Sequence, residues 1–303
     1  MPVEKTGLLI RGALVVSPED EAVRDVLVEG ETIRRVGPAA AAFPGSGLNE
    51  DHWDCIDGTG KILIPGGIDA HTHLCLDTGS AGVSVDFYTG TVAAVWGGTT
   101  SIIDHPGFGP AGCSLDHQIQ KYHRLAEGKA VIDYGFHAVV QHVDDRILTG
   151  LDALADGGVT SCKLYLTYGY KIADGDALRV LEKAKAAGVL VTVHPENDGV
   201  INTLRERFIA AGTLSPHFHP LSRPPECEAE AINRMILFAH IAGDAPLYIV
   251  HLTNTLGLEF IKAARERGQQ NLYAETCPQY LLLNDSCYDL GGDEGLKYII
   301  CPP

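Results

Sequence analysis

Four histidines and one lysine carry the chemistry that can be read from this chain. They are His71 and His73 in GGIDAHTHL, Lys163 in VTSCKLYLT, His194 in VLVTVHPEN and His251 in PLYIVHLTN. Imidazole nitrogens are ligands for zinc and similar divalent ions. His71 and His73 are two residues apart, and in a strand that spacing turns both to one side, with Thr72 turned away. They can hold one ion together, and His194 with His251 can hold a second. Two ions that share ligands lie ~3.5–4 Å apart. Lys163 is the odd member, because an ammonium inside an apolar run is costly unless it gives up its proton. A neutral lysine amine reacts with carbon dioxide to give a carbamate, an anion with one oxygen for each ion, and paired cations favour such a ligand. The five residues together predict a binuclear metal site bridged by N6-carboxylated Lys163. His105, His137 or His142 taken singly reads as a satisfied core histidine, and H-x-H alone is a weak sign. The joint pattern carries the reading.

For these side chains to converge they must stand on one rim of one sheet. From Lys61 onward apolar strand candidates alternate with amphipathic helices. The strands are KILIPGGIDAHTHL, TTSIIDH, VIDYGFHAVV, VTSCKLYLT, VLVTVHPEN, PLYIVHLTN and NLYAETCPQY. The helices include DALRVLEKAKAAG, ended by Gly188, and GLEFIKAARERG, ended by Gly268. Strand–helix repetition with nearly continuous apolar strands predicts a parallel sheet. Seven such strands predict a TIM-type (β/α)8 barrel whose last strand is not reached, with the site at the C-terminal ends of the strands. A doubly wound open sheet is the alternative, but GGIDAHTHL is not the G-x-G-x-x-G that would accompany it. Residues 1–60 read as short strands with a hairpin turn at Glu29-Gly30-Glu31, a small β-domain. The expected division is therefore 1–60 and 61–303. The segment SPHFHPLSRPPECE, residues 215–228, is expected to be a loop that serves as a lid or binding loop.

The net charge is −16 over 303 residues. That argues against binding to nucleic acid or acidic membranes, which needs clustered Lys and Arg. No run approaches the ~20 apolar residues of a membrane span. The opening MPVEKTGLLIRG lacks the basic and apolar regions of a signal peptide, so a cytoplasmic protein is expected. Eight cysteines occur with no C-x-x-C pair, and in that setting reduced thiols are expected.

These motifs as a set resemble the hydantoinase/dihydropyrimidinase family of the amidohydrolase superfamily. IPGGIDAHTHL is similar to that family's first-strand metal motif and TSCKLYLTY to its carboxylated-lysine strand. VTVHPEN, YIVHLTN and ETCPQYL are similar to the next three strands, and RPPECEAEAINR to a loop and helix between the histidine strands. The resemblance runs over essentially all of the chain. It implies hydrolysis of a cyclic amide or ureide ring, of hydantoin or dihydropyrimidine type, to an N-carbamoyl amino acid by a hydroxide held between two metal ions. It implies zinc, with manganese, cobalt or nickel as alternatives, and carbon dioxide as the modification of Lys163. It implies a catalytic Tyr168 that hydrogen-bonds the substrate carbonyl and its developing oxyanion. Cys301 falls at a main-chain substrate contact, and Asp69 supports the H-x-H pair from behind. A small β-sandwich beside the barrel and a homo-oligomer, a tetramer, are implied as well. The family continues past YIICPP, and the resemblance places an eighth strand and its aspartate, a metal ligand and general base, beyond these residues. Residues 1–303 alone are therefore expected to be inactive.

Phe108 and Tyr170 are read as aromatic pocket walls, which favours an aryl hydantoin over dihydrouracil. Allantoin or dihydroorotate would need a cationic or polar anchor, for which Arg223 is one candidate, set against a plain surface arginine. The alternatives to a hydantoinase are thus an allantoinase, a dihydroorotase, or a non-catalytic oligomeric binding relative.

Overall fold

A computed structural model describes residues 7–38, 53–79 and 82–303. The first six residues of the opening stretch lie outside the described ones. By their contacts the residues fall into two units, Met1–Gly67 and Ile68–Pro303.

The first unit is one mixed sheet of five strands: β1 (Gly7–Val16), β2 (Glu21–Glu29), β3 (Thr32–Pro38), β4 (Trp53–Asp57) and β5 (Ile62–Leu63). β1 pairs antiparallel with β2, and β2 with β3, while β4 and β5 run parallel to β1. The hairpin stands where its sequence puts it. Glu29 pairs with Thr32 across Gly30 and Glu31, and Gly30 takes φ +57°, which costs a glycine little. The described residues supply one layer of the expected sandwich. The unit boundary falls at 67/68 rather than 60/61, because Ile62 and Leu63 pair with Leu14 and Val15 and so belong to the small sheet.

The second unit alternates strands and helices. β6 (Gly67–Thr72), α1 (Phe87–Trp96), β7 (Thr99–Asp104), α2 (Leu115–Ala126), β8 (Asp133–Phe136) and β9 (Ala138–Val139) come first. α3 (Asp145–Asp156), β10 (Ser161–Tyr165), α4 (Asp174–Ala187), β11 (Leu190–His194), α5 (Asp198–Ala210), α6 (Phe218–Ser222) and α7 (Pro225–Ile241) follow. β12 (Leu247–Ile249), α8 (Thr255–Glu266), β13 (Leu272–Ala274) and α9 (Pro278–Leu282) complete the order. Strands neighbour one another in chain order, β6-β7-β8 and then β9-β10-β11-β12-β13. β8 and β9 are one chain path interrupted at His137, where pairing passes from β7 to β10. All pairings from β9 to β13 are parallel, as is β7 with β8. The result is the seven-strand, parallel, TIM-type arrangement that the alternation predicts.

β10 shows how the sequence positions the site. Cys162 and Leu164 are fully buried in the apolar core formed with the helices. Ser161, Lys163 and Tyr165 alternate with them and face the other way. The segment 215–228 differs from expectation. It contains the short helix α6 and the first turn of α7, which starts with Pro225 in its first turn, where a missing N–H costs nothing. All eight cysteines are free thiols. Among the described residues no helix is long and apolar enough to cross a membrane.

Candidate functional site

Lys163 sits in the middle of β10, paired in register with Val139 on one side and Thr192 on the other. It is 1% exposed, and its Nζ has no hydrogen-bond partner. Burial pulls its pKa down to about 7, so a large neutral fraction is present near physiological pH. The amine opens onto a cavity of about 600 Å3 that His71, His73, His194 and His251 also line. A larger cavity, about 720 Å3, shares Gln279, Tyr280 and Ile300 with it but contains none of those four histidines, so size does not mark the site here.

The histidines come as two pairs. The ring centroids of His71 and His73 are 5.2 Å apart, those of His194 and His251 4.6 Å, and His71 stands 5.5 Å from His251. Three of the four have one nitrogen tied to an acceptor, which leaves the other with a lone pair. His71 donates from Nδ1 to Glu275 Oε1. His73 Nδ1 donates to the carbonyl of His105 at 3.2 Å. His194 Nε2 donates to Glu196 Oε2 at 2.7 Å. His194 Nδ1 then faces His251 Nε2 at 2.8 Å. Burial lowers the pKa of all four rings, that of His73 to about 3, so they are neutral and able to act as ligands.

Among the described residues no three His, Cys, Asp or Glu side chains surround one point closely enough to hold an ion as they stand. The pairing explains this. Each pair has two imidazoles and lacks a third donor, and the group between the pairs is a lysine. An unpartnered amine of lowered pKa, beside two sets of nitrogens with lone pairs, fits a pair of cations bridged by a carboxylated lysine.

Tyr168 and Cys301 line the same cavity. The Tyr168 ring lies 5.0 Å from that of His194, and its backbone takes φ +72°, an uncommon conformation for a bulky residue. Although 38% of the residue is exposed, its phenol lies close to Cys301, Glu196 and Arg223, and burial raises its pKa. The phenol is therefore a protonated donor. Cys301 Sγ sits 3.9 Å from His219 Nε2. Asp69 is exposed, and its carboxylate accepts from the backbone N–H of His71 at 3.0 Å rather than from its imidazole. Phe108 packs on Tyr170 at 4.4 Å and on Tyr165 at 5.1 Å, and all three line the cavity. Arg223 is neither a surface residue nor a free anchor, since its side chain is 9% exposed and bound to Glu196.

Three carboxylates with roles here escape a reading of the sequence alone. Glu275 follows β13 in AETCPQY and holds His71, Tyr248 OH at 2.9 Å and the backbone N–H of His251 at 3.3 Å. Glu196 is two residues past His194 in HPEN. Asp104 is fully buried and accepts from Thr72 Oγ1 at 2.7 Å and Leu74 N at 2.8 Å, anchoring the face of the H-x-H strand opposite His71 and His73. Each lies at or just past a strand end, which was the available signal.

The chain is similar to curated D-phenylhydantoinases. It is 49% identical to that of Escherichia coli O9:H4 (strain HS) over 297 residues, 98% of this chain and 62% of the relative. Among solved structures it superposes on a dihydropyrimidinase from Brevibacillus agri NCHU1002 with TM-score 0.91 at 40% identity, over 98% of this chain and 62% of that one. It superposes on a D-hydantoinase from a Bacillus sp. AR9 with TM-score 0.89 at 41% identity, over 97% and 62%. The chain thus spans less than two thirds of the length of the relatives it matches. The amidohydrolase family model matches residues 62–241, more than half of the chain and the stretch that holds nearly all of the histidine–lysine cluster. On that match the chain belongs to the amidohydrolase family, a metal-dependent family.

Proposed function

We propose that the protein is a binuclear cyclic amidohydrolase that opens a hydantoin- or dihydropyrimidine-type ring to an N-carbamoyl amino acid. The observation that carries the reading is the meeting of Lys163 with two histidine pairs, in which His71, His73 and His194 each have their outer nitrogen tied to an acceptor. His71 and His73 would hold one ion through Nε2. His194 Nδ1 and His251 Nε2 would hold the other, with N6-carboxylated Lys163 between. When bound, two divalent ions, zinc in the first instance, supply an activated water and polarise the ring carbonyl. Glu275, the His105 carbonyl and Glu196 orient the imidazoles. The Tyr168 phenol donates to the carbonyl oxygen as it gains charge, an interaction worth ~3–4 kcal/mol in comparable sites. The backbone at Cys301 borders the ring. The wall of Phe108, Tyr165 and Tyr170 excludes water and receives an apolar substituent, which supports an aryl hydantoin as substrate.

The alternative substrates allantoin and dihydroorotate need a cationic or polar anchor. Arg223, the candidate, is already committed to Glu196, which weighs against both. A cytoplasmic homo-oligomer, a tetramer, belongs to the same proposal. The outer face of α1 supports assembly, with Tyr88, Val95 and a Trp96 that is 87% exposed.

The test is to express the protein at the full length of its relatives, load it with zinc and bicarbonate, and assay phenylhydantoin, dihydrouracil, allantoin and dihydroorotate for ring opening, with residues 1–303 alone, expected to be inactive, as the comparison. Phenylhydantoin is expected to turn over fastest. Turnover confined to allantoin or dihydroorotate would overturn the substrate class. Protein that retains no zinc after dialysis would overturn the metal site.

A further inference from the structure

Glu196 is 1% exposed and has two partners. It accepts from His194 Nε2 at 2.7 Å and from Arg223 Nη1 at 2.6 Å. The Arg223 guanidinium also lies 5.7 Å from the centre of the Tyr168 ring, within reach of a cation–π contact. Tyr168 in turn lies against His194. The four side chains therefore close a cycle, Arg223–Glu196–His194–Tyr168. Arg223 enters it from the segment between α5 and α7, 27 residues beyond Glu196. That segment is seated on the second unit by further contacts. His219 Nε2 donates to the carbonyl of Ile300 at 2.7 Å, and just beyond the segment, in the first turn of α7, the carbonyl of Cys227 accepts from the Asn197 N–H at 3.0 Å.

We propose that Arg223 is a positioning residue for both halves of the site. Through Glu196 it keeps the N–H of His194 on Nε2, so that Nδ1 presents its lone pair to the cavity. Through the Tyr168 ring it holds the phenol in place. The segment that carries Arg223 must then be seated before the second histidine pair and the oxyanion donor are in order together. The inference rests on the reading of His194 as a metal ligand.

Two physical arguments support it. A carboxylate this deeply buried is stable when paired, and loss of one partner leaves an uncompensated charge that shifts to find another. Arginine suits the task because its planar fork can face a carboxylate while its flat side lies on an aromatic ring, which a lysine ammonium cannot do. Tyr168 needs an outside restraint, since its left-handed backbone is not a conformation a tyrosine adopts unaided.

The test measures cobalt and zinc affinity by competition with a chromophoric chelator for the wild type, R223Q, R223K, E196Q, the R223Q/E196Q double variant and R234Q. Arg234 pairs with Asp174 and Glu230 on the outside of α7 and serves as the control. Thermal melts establish that each variant is folded. R223Q is expected to bind one of the two ions about 10–100-fold more weakly, the usual effect of losing a residue that orients a ligand. R223K is expected to fall between R223Q and wild type, and R234Q to match wild type. The double variant is expected to lose no more than the worse single variant, because both changes break one chain of contacts. Wild-type affinity in R223Q, or losses that add in the double variant, would overturn the proposal. If R223Q does not fold, E196Q decides, since glutamine keeps an acceptor for His194 but no ion pair, and wild-type affinity there is the overturning result. A wild-type protein that binds no ion would instead overturn the metal reading, and this inference with it.

Discussion

His194 Nδ1 and His251 Nε2 face each other at 2.8 Å across the ends of β11 and β12, while Glu196 occupies the far nitrogen of His194. With its N–H committed to Glu196, His194 can only accept at Nδ1, and His251 can only donate to it. His194 Nδ1 and His251 Nε2 would hold a divalent cation in place of that one proton once the two rings part beyond 2.8 Å to admit it. The backbone of His251 is held at φ +41°, which turns the residue out of its strand and toward its neighbour.

In the full-length protein, Lys163→Ala should remove one or both ions and most activity, since it removes the third donor shared by the two pairs. A short carboxylic acid added to the variant should restore part of both. Metal analysis with and without the acid checks this, and two retained ions with normal turnover would end the bridge assignment.

Tyr168→Phe should leave metal content intact and lower kcat by ~10²-fold or more, the effect of removing one donor to a developing oxyanion. Steady-state kinetics on a loaded sample distinguish this from a packing role, in which only thermal stability would fall.

Glu275→Gln should weaken the ion held by His71 and His73 by about 10–100-fold. It leaves an acceptor for His71 but removes the charge that favours its orientation, and it also weakens the contact with Tyr248 OH. Chelator competition reads this directly, and unchanged affinity for both ions would remove Glu275 from the site.

Phe108→Ala should lower kcat/KM for phenylhydantoin by ~10–200-fold, chiefly through KM, and leave dihydrouracil nearly unaffected. Phe108 supplies the edge of the wall that contacts Tyr165 and Tyr170. An equal loss on both substrates would place Phe108 outside the substituent pocket.

Glu228 makes stability depend on pH. It is 2% exposed, and burial raises its pKa to about 7 from 4.5, against hydrogen bonds from Thr253 and Asn254. The folded state then binds more protons than the unfolded state between about pH 4.5 and about pH 7. The contribution of Glu228 to stability is fully present below that window and is lost as pH rises through about 7. Glu228→Gln should therefore flatten the pH dependence of stability across the window. Urea midpoints of metal-free wild type and variant, compared across it, should diverge, and parallel curves would refute the shift.

Much of the site was legible because strand geometry is local. The i, i+2 spacing of His71 and His73 and the placement of Lys163 between Cys162 and Leu164 follow from the alternation of side chains along a strand. The barrel follows from the repetition of apolar strands and amphipathic helices. α4 begins within two residues of the helix read from DALRVLEKAKAAG and ends at Gly188, whose φ of +72° makes it the left-handed cap. The segment 215–228 was harder. Its prolines and histidines read as a loop, whereas Pro225 begins α7 and Pro220 lies within α6. The composition of a proline-rich stretch does not distinguish a proline that breaks a helix from one that starts it.

By itself the sequence determined which residue types stand at which strand ends, and so the kind of centre they can build. Only the tertiary structure decided how each imidazole is turned. Glu275 reaches His71 from 204 residues away, and Arg223 reaches Glu196 over 27. Such contacts depend on which strands and loops become neighbours once the sheet has formed, and no spacing along the chain encodes them. The same holds for Arg223 itself. Its charge is visible in the sequence, but whether it anchors a substrate, meets solvent or holds a buried carboxylate depends on where a loop between two helices comes to rest.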